Sequence, residues 1–310
     1  MNTQTKKQLA SLFPSIRFSE PLAAHCTFHI GGPADAYIET ADPKPIISAL
    51  KKLKTPFIII GGGSNILFHD KGFRGAVIRL TPRTGTSTLT FTKTSVTADA
   101  GTPLQMLIKK ASQKGFHNLA ALTGIPGTLG GAIRGNAGAN GSEIKDFLLK
   151  AQIFNPKTGR TRTATPAALK LSYRNSVLKR TNEIVLQAAL KLSKATRYKP
   201  YKNLAQELSS KRTQTQPYGL SAGSFFKNPN PSPAVTGSAG YLIDQCGLKG
   251  KRIGGAQISP KHANFIQNIG GAKHPATQKD VLSLAALAKK EVRRRFKITL
   301  KEEVQVIPEK

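Results

Sequence analysis

The chain has no tryptophan, two cysteines in 310 residues, and 16 acidic residues against 47 lysines and arginines. Each scarcity excludes something. Cys26 and Cys246 cannot form a disulfide framework, and neither has metal-ligand spacing with a histidine. They are expected as free thiols in a reducing compartment, packed as small apolar residues. No His/Cys/Asp cluster supports a metal site. Aromatic residues at 6% leave little surface for stacking on single-stranded nucleic acid. The clearest apolar runs, such as Phe57–Ile60, fall far short of the ~20 residues that span a bilayer. Met1–Phe18 has lysines but no continuous apolar segment, so it does not read as a secretory signal and a cytoplasmic location is expected. There is no G-x-x-x-x-G-K-[ST] and no G-x-G-x-x-G, so neither a P-loop nor a Rossmann turn is supported.

What the chain does have is positive charge and clustered glycine. The formal net charge is +31, which raises the prospect of anionic partners. The basic residues are spread along the whole chain, and the densest group, Lys289–Arg295, falls on an expected helix with no zinc-finger, basic-zipper or RNP-like pattern around it. A solvated basic surface that draws in anionic substrates is the better reading, with no nucleic-acid or membrane partner. Seven glycines lie between Gly124 and Gly141, and an earlier loop, Gly61-Gly-Gly-Ser-Asn65, follows the run Phe57–Ile60. A strand running into consecutive glycines presents bare N–H groups that bind phosphate oxygens. One isolated cluster is more often a simple turn. Two together suggest one large phosphorylated ligand, such as a dinucleotide cofactor.

Periodicity places strands at Ala36–Thr40, Phe57–Ile60, Ala76–Leu80, Ala151–Asn155 and Glu183–Leu192, with a strand or hairpin over Leu89–Ala98. A short helix is expected over Pro45–Leu53. Another follows Thr102 as N-cap and Pro103 as first helical residue, running to about Lys114 with Gly115 beyond. Lys199–Gln214 is polar and helix-prone, Pro217–Gly223 and Asn228–Pro233 are loop-rich, and a domain boundary is expected near residue 198. Val281, Leu284, Ala288, Val292 and Phe296 have helical spacing, and an alternating strand is expected from Ile298 to Ile307. Helices and strands interleave, so the class is mixed α and β.

Taken in order, the motifs resemble the UDP-N-acetylenolpyruvoylglucosamine reductase family. They are Thr27-Phe-His-Ile-Gly-Gly-Pro-Ala-Asp35, Gly61-Gly-Gly-Ser-Asn65, Gly124-Ile-Pro-Gly-Thr-Leu-Gly-Gly131, Asn136-Ala-Gly138, Tyr173-Arg-Asn-Ser176, Ala222-Gly-Ser-Phe-Phe-Lys-Asn-Pro229, Leu242-Ile-Asp244, Gly247-Leu-Lys-Gly250, Gly254-Gly-Ala256 and Lys261-His-Ala-Asn-Phe-Ile266. The resemblance covers roughly Thr27 to Val304 and is to the short, type II form. It implies an α+β fold: an FAD-binding domain of the vanillyl-alcohol-oxidase (PCMH) type over residues 1–198, in two subdomains split near residue 80, and an α+β substrate-binding domain over 199–310. A monomer is expected, although nothing in the sequence specifies the oligomeric state.

The implied activity is reduction of an enolpyruvyl ether on a UDP-sugar to a lactyl ether, with NADPH as electron donor and noncovalent FAD carrying the hydride. Charge builds towards the substrate carboxylate and a proton must reach the adjacent carbon. By the resemblance, Arg174 is the catalytic arginine at the carboxylate, Ser224 the proton donor, and Glu303 the catalytic glutamate. Alternation alone would favour Glu302, which shares a face with Ile298, Leu300, Val304 and Val306. The family pattern places the glutamate directly before valine, which selects Glu303. FAD would contact the backbones of Gly61, Gly62, Gly63, Ser64 and Asn65, and of Gly124, Ile125, Pro126, Gly127, Thr128, Gly130 and Gly131, together with Asn136 and Gly138. Lys227 and Asn228 are expected at the uridine diphosphate or its sugar, while Phe225 and Phe226 read as core. His29 reads as structural, His262 as shaping the substrate domain, and Arg134 as either a phosphate contact or a solvent-facing residue.

Overall fold

The computed structural model describes residues 1–83, 89–194, 214–229, 237–270 and 275–308, together with Glu207 and Ser210. The expected boundary near residue 198 lies outside the described residues, as does most of Lys199–Gln214; the expected loop Asn228–Pro233 is described only to Pro229. Strands in chain order are β1 (Arg17–Pro21), β2 (Pro33–Thr40), β3 (Phe57–Ile60), β4 (Ile66–Leu67), β5 (Phe73–Leu80), β6 (Leu89–Phe91), β7 (Ser95–Asp99), β8 (Gly138–Ala139), β9 (Ser142–Glu143), β10 (Leu148–Phe154), β11 (Thr161–Ala164), β12 (Ile184–Lys191), β13 (Arg252–Ile253), β14 (Ala256–Ile258), β15 (Ile266–Asn268) and β16 (Gln305–Val306).

The chain divides into two compact units, each assembled from separated segments. The first comprises Met1–Phe18, Ala36–Gly62 and Gly75–Ser210; the second comprises Ser19–Asp35, Gly63–Arg74 and Lys211–Lys310. One four-stranded sheet has the order β1-β2-β5-β3, with β3 and β5 parallel from Phe57↔Ala76 to Ile60↔Arg79. The helix Lys44–Lys52 connects β2 to β3 and buries Ile46, Ile47 and Leu50.

The larger sheet of the first unit has the order β11-β10-β12-β7-β6 and is antiparallel throughout. The expected hairpin over Leu89–Ala98 is β6 and β7, paired from Leu89↔Ala98 to Phe91↔Val96. Strand β11 was not expected. Its residues Thr161–Thr163 are exposed, so it carries almost no buried apolar pattern to read. It is formed by the turn before it, where the Asn155 side chain accepts from the amides of Lys157 and Thr158 at 2.8 and 3.2 Å. The helix Leu104–Gln113 packs Leu104, Leu107, Ile108 and Ala111 into the core with Leu119, Ile133, Ile153 and Leu190. Its N-cap is Pro103, not Thr102: Pro103 is extended (φ −58°, ψ 124°) and accepts from Leu107 N–H. The Thr102 carbonyl instead accepts from Leu129 N–H at 2.9 Å and so starts no helical ladder. Gly115 follows the helix at φ +81°, as its position predicted.

In the second unit, β13, β14 and β15 form an antiparallel sheet, and the helix Gln278–Phe296 buries Val281, Leu284, Ala285, Ala288 and Val292. A reciprocal cap between Thr277 and Asp280 starts that helix, a device contributing about 1 kcal/mol. The C-terminal segment is not the continuous alternating strand expected over Ile298–Ile307. It has an isolated bridge at Glu302 and then β16, parallel to β4 in the register Gln305↔Ile66 and Val306↔Leu67. The burial phase slips accordingly: Leu300 and Val304 are buried, and then Ile307 rather than Val306.

Candidate active site

Gly61 and Gly62 meet the second glycine loop within the first unit. A Cβ on Gly62 would lie 2.9 Å from the Cα of Gly127, and one on Gly61 would collide with Oγ1 of Thr128. Glycine at both positions therefore lets the loops touch, backbone to backbone. Gly127 itself has φ +96°, which side-chain-bearing residues rarely adopt. In the second loop the amides of Gly124, Ile125, Leu129, Gly130 and Gly131 all donate to protein acceptors. Among the described residues, the amides of Gly61, Gly62, Gly127 and Thr128 donate to none. These N–H groups at touching loops fit the phosphate oxygens of a dinucleotide cofactor. Gln105, which the sequence did not single out, sets the second loop. Its amide donates to the carbonyls of Leu122 and Ile125 at 3.2 and 2.8 Å and accepts from Gly124 N–H at 3.0 Å. A glutamine within a helix gives no local sign of such a role.

Asn136 and Gly138 follow. Asn136 is fully buried and left-handed (φ 44°), a conformation asparagine tolerates. Its amide donates to Glu143 and to the Ser172 carbonyl, both at 3.0 Å, and accepts from Lys145 N–H at 3.1 Å. The Gly138 carbonyl accepts from both terminal nitrogens of Arg174 at 3.3 Å. Arg174 sits with Tyr173 at the tip of a turn closed by reciprocal bonds between Ser172 and Asn175, and its φ is +51°. A non-glycine residue in that region is uncommon and marks a constrained position. The guanidinium lies 5.6 Å from the Tyr173 ring centroid, over its face. Arg134 is half-buried, and burial lowers its pKa.

The second unit gathers Ser224, Lys227, Asn228, Asn65 and both glutamates around one strip of backbone. Ser224 forms an antiparallel bridge with Phe265, and Phe226 one with Glu302. Phe225 O accepts from Glu303 N–H at 2.8 Å, and Lys227 N–H donates to Lys301 O at 2.9 Å. Phe225 and Phe226 are buried core, as expected, with rings edge to face at 5.1 Å. The Asn228 side chain accepts from Ala239 N–H at 3.1 Å. The Glu302 carboxylate is engaged by Lys289 at 2.7 Å. The anomaly that drew attention to Glu302 in the sequence thus has an ion-pair explanation. Gly63 packs against His25 and Cys26, and its carbonyl accepts from Thr27 N–H at 3.1 Å. His29 is left-handed (φ 52°) and donates its amide to Cys26 O at 3.2 Å. His262 stacks edge-on with Phe265 at 4.9 Å, and burial lowers its pKa. Both cysteines are free thiols, Cys26 buried and Cys246 half-buried.

Fold and glycine loops together define an FAD-binding oxidoreductase. The sequence model of the FAD binding domain matches residues 35–165, and that of the UDP-N-acetylenolpyruvoylglucosamine reductase C-terminal domain matches residues 215–307. UDP-N-acetylenolpyruvoylglucosamine reductase from Alkaliphilus oremlandii is 40% identical over 98% of this chain and 97% of its own length. The Bacillus subtilis protein of that name is 40% identical over 93% of each. The crystal structure of the Thermus caldophilus reductase superposes with a TM-score of 0.72 at 34% identity, covering 94% of this chain and 98% of that one. The chain belongs to the UDP-N-acetylenolpyruvoylglucosamine reductase family. It is accordingly an FAD-dependent enzyme that reduces UDP-N-acetylglucosamine enolpyruvate to UDP-N-acetylmuramate with NADPH, in peptidoglycan precursor synthesis. Among the described residues, no helix is long and apolar enough to cross a membrane.

Proposed function

We propose the following division of labour for that reaction. Residues 1–198 supply the cofactor site and residues 199–310 the substrate site, in a monomer working in the cytoplasm. The backbones of Gly61–Asn65 and Gly124–Gly131 hold FAD, with the unengaged amides of Gly61, Gly62, Gly127 and Thr128 as pyrophosphate donors. Asn136 and Gly138 complete that site by shaping it. When bound, FAD supplies the hydride that reaches the terminal vinyl carbon of the substrate.

The chain's own residues handle charge and proton. Arg174 faces the substrate carboxylate, where a planar guanidinium can bind bidentately and stabilise the charge that accumulates there. Its constrained backbone places the side chain, and the carboxylate would take over the two terminal nitrogens that here donate to Gly138 O. Ser224 Oγ donates the proton to the carbon next to the carboxylate. A hydroxyl is a weak acid, so donation depends on a strongly basic carbanion and on support for the alkoxide. Glu303 relays a proton to the Ser224 oxygen as its own leaves, so no alkoxide is stranded, and Lys227 and Asn228 bind the diphosphate and sugar.

The observation that carries this reading is the backbone pairing of Phe225 with Glu303, which ties the proposed donor's segment to the proposed glutamate. The deciding experiment is an anaerobic flavin spectrum of Ser224→Ala, after NADPH and then after UDP-N-acetylglucosamine enolpyruvate. Bleaching at the normal rate is expected, with return of the oxidised spectrum slowed ~100-fold or more. Equal loss in both steps counts against Ser224 as donor.

A further inference from the structure

Asn264 lies in Lys261-His-Ala-Asn-Phe-Ile266, a stretch to which the reaction assigns nothing. It is 3% exposed. Its side chain stands in for a strand neighbour of Phe226: Phe226 N–H donates to Oδ1 at 2.9 Å, and Nδ2 donates to Phe226 O at 2.9 Å. Its backbone carbonyl accepts from Phe225 N–H at 2.7 Å. One residue therefore binds the two residues after Ser224 by three hydrogen bonds. Only an amide side chain carries a donor and an acceptor spaced for both groups of one peptide residue.

Asn264 is itself fixed. Its N–H donates to Nδ1 of His262 at 3.2 Å, and Ser259 Oγ accepts from the amides of Lys261 and His262 at 3.1 and 3.4 Å. A turn occupies the place where a ladder would otherwise continue, and the amide bridges that gap. On the opposite edge of the strip, Phe225 O accepts from Glu303 N–H and Lys227 N–H donates to Lys301 O. The segment bearing Ser224 is thus clamped from one side by Asn264 and from the other by residues 301–303. Left unmatched at a buried site, the N–H and C=O of Phe226 would drive the strip to shift.

We infer that Asn264 is a positioning residue for proton delivery, acting through Ser224; this rests on the assignment of Ser224 as donor. The reaction amplifies small displacements, because a misplacement of ~1 Å can cost ~100-fold in rate. A residue that merely stabilised the fold would impair both half-reactions and FAD retention together.

The test measures flavin bleaching by NADPH, return of colour with UDP-N-acetylglucosamine enolpyruvate, and FAD retention. It uses the FAD-loaded enzyme as wild type, Asn264→Ala, Ser224→Ala and the double variant. Expected for Asn264→Ala is colour return slowed ~10-fold or more, with bleaching and FAD retention within ~2-fold. In the Ser224→Ala background the same change should add less than ~2-fold, the non-additivity of groups acting as one unit. Should Asn264→Ala fail to fold, Asn264→Asp keeps the size and the acceptor, loses the donor, and must give the same pattern. An Asn264 effect undiminished without Ser224, or spread equally over both half-reactions, overturns the inference. So does normal colour return in Asn264 variants while Ser224→Ala is impaired. Normal colour return in Ser224→Ala instead overturns the donor assignment, and with it the route through which Asn264 acts.

Discussion

Asn65 donates from Nδ2 to the backbone carbonyl of Glu303 at 3.1 Å, and its own carbonyl accepts from Gln305 N–H at 3.0 Å. The last residue of the first glycine loop is thereby tied to the C-terminal segment, 238 positions away. Two bonds to the backbone fix where residues 303–305 run, whatever the side chain of Glu303 does. That leaves the two adjacent glutamates to be separated by their own partners.

Glu302 and Glu303 should respond in opposite ways to removal of charge. Glu302→Gln frees only Lys289, a partly exposed partner, so the expected cost is below about 1 kcal/mol of stability with colour return nearly unchanged. Glu303→Gln should leave the melting temperature alone and slow colour return by ~100-fold or more. Thermal melts and stopped-flow absorbance on both variants check this. The reverse ranking would transfer the catalytic role to Glu302.

Gly62→Ala should cost the enzyme its flavin. The added Cβ would press on the Gly127 Cα at 2.9 Å, a backbone contact that cannot swing aside. The flavin-to-protein ratio after desalting should fall well below that of wild type. Gly115→Ala is the control: its φ of +81° makes alanine costly by about 1 kcal/mol, but nothing lies within 4 Å of the new methyl. It should melt earlier and keep its flavin. Equal flavin retention in both variants would detach the loop contact from cofactor binding.

The Arg162–Glu183 pair should give stability that disappears in acid. Arg162 donates to both carboxylate oxygens of Glu183 at 3.1 and 2.8 Å, and the guanidinium holds the Glu183 carboxyl below its ordinary range. A carboxylate whose pKa is lower in the folded state stabilises above the ordinary value of 4.5 and loses that contribution as pH falls through the folded value. Glu183→Gln should therefore be less stable than wild type by about 1 to 2 kcal/mol at neutral pH, allowing for the exposed guanidinium. The gap should narrow in melts run below about pH 4.5. A gap independent of pH would mean that packing, not charge, sets the difference.

Much of this arrangement was legible before any coordinates. The run Phe57–Ile60 ending in glycine marked β3, and the spacing of Val281, Leu284, Ala288 and Val292 marked the buried stripe of a helix, because each pattern is local and repeats with the element's own period. The loops also announced themselves, since consecutive glycine is a backbone property written directly in the sequence. Reading failed where a partner from elsewhere decided the outcome. Thr102 looked like a cap, but Leu129 takes its carbonyl, β11 had no burial to reveal it, and the Ile298–Ile307 alternation broke where Phe226 and β4 imposed separate registers.

The family and the cofactor class were readable from the chain alone, because they reside in residue types at fixed spacing. Only the tertiary structure decided that Gly62 meets Gly127, that Lys289 occupies Glu302, and that Gln105 and Asn264 spend their amides on loops far along the chain. The physical reason is that such contacts follow from closing long loops over a packed core. No short window of sequence records which distant backbone group a buried amide will find.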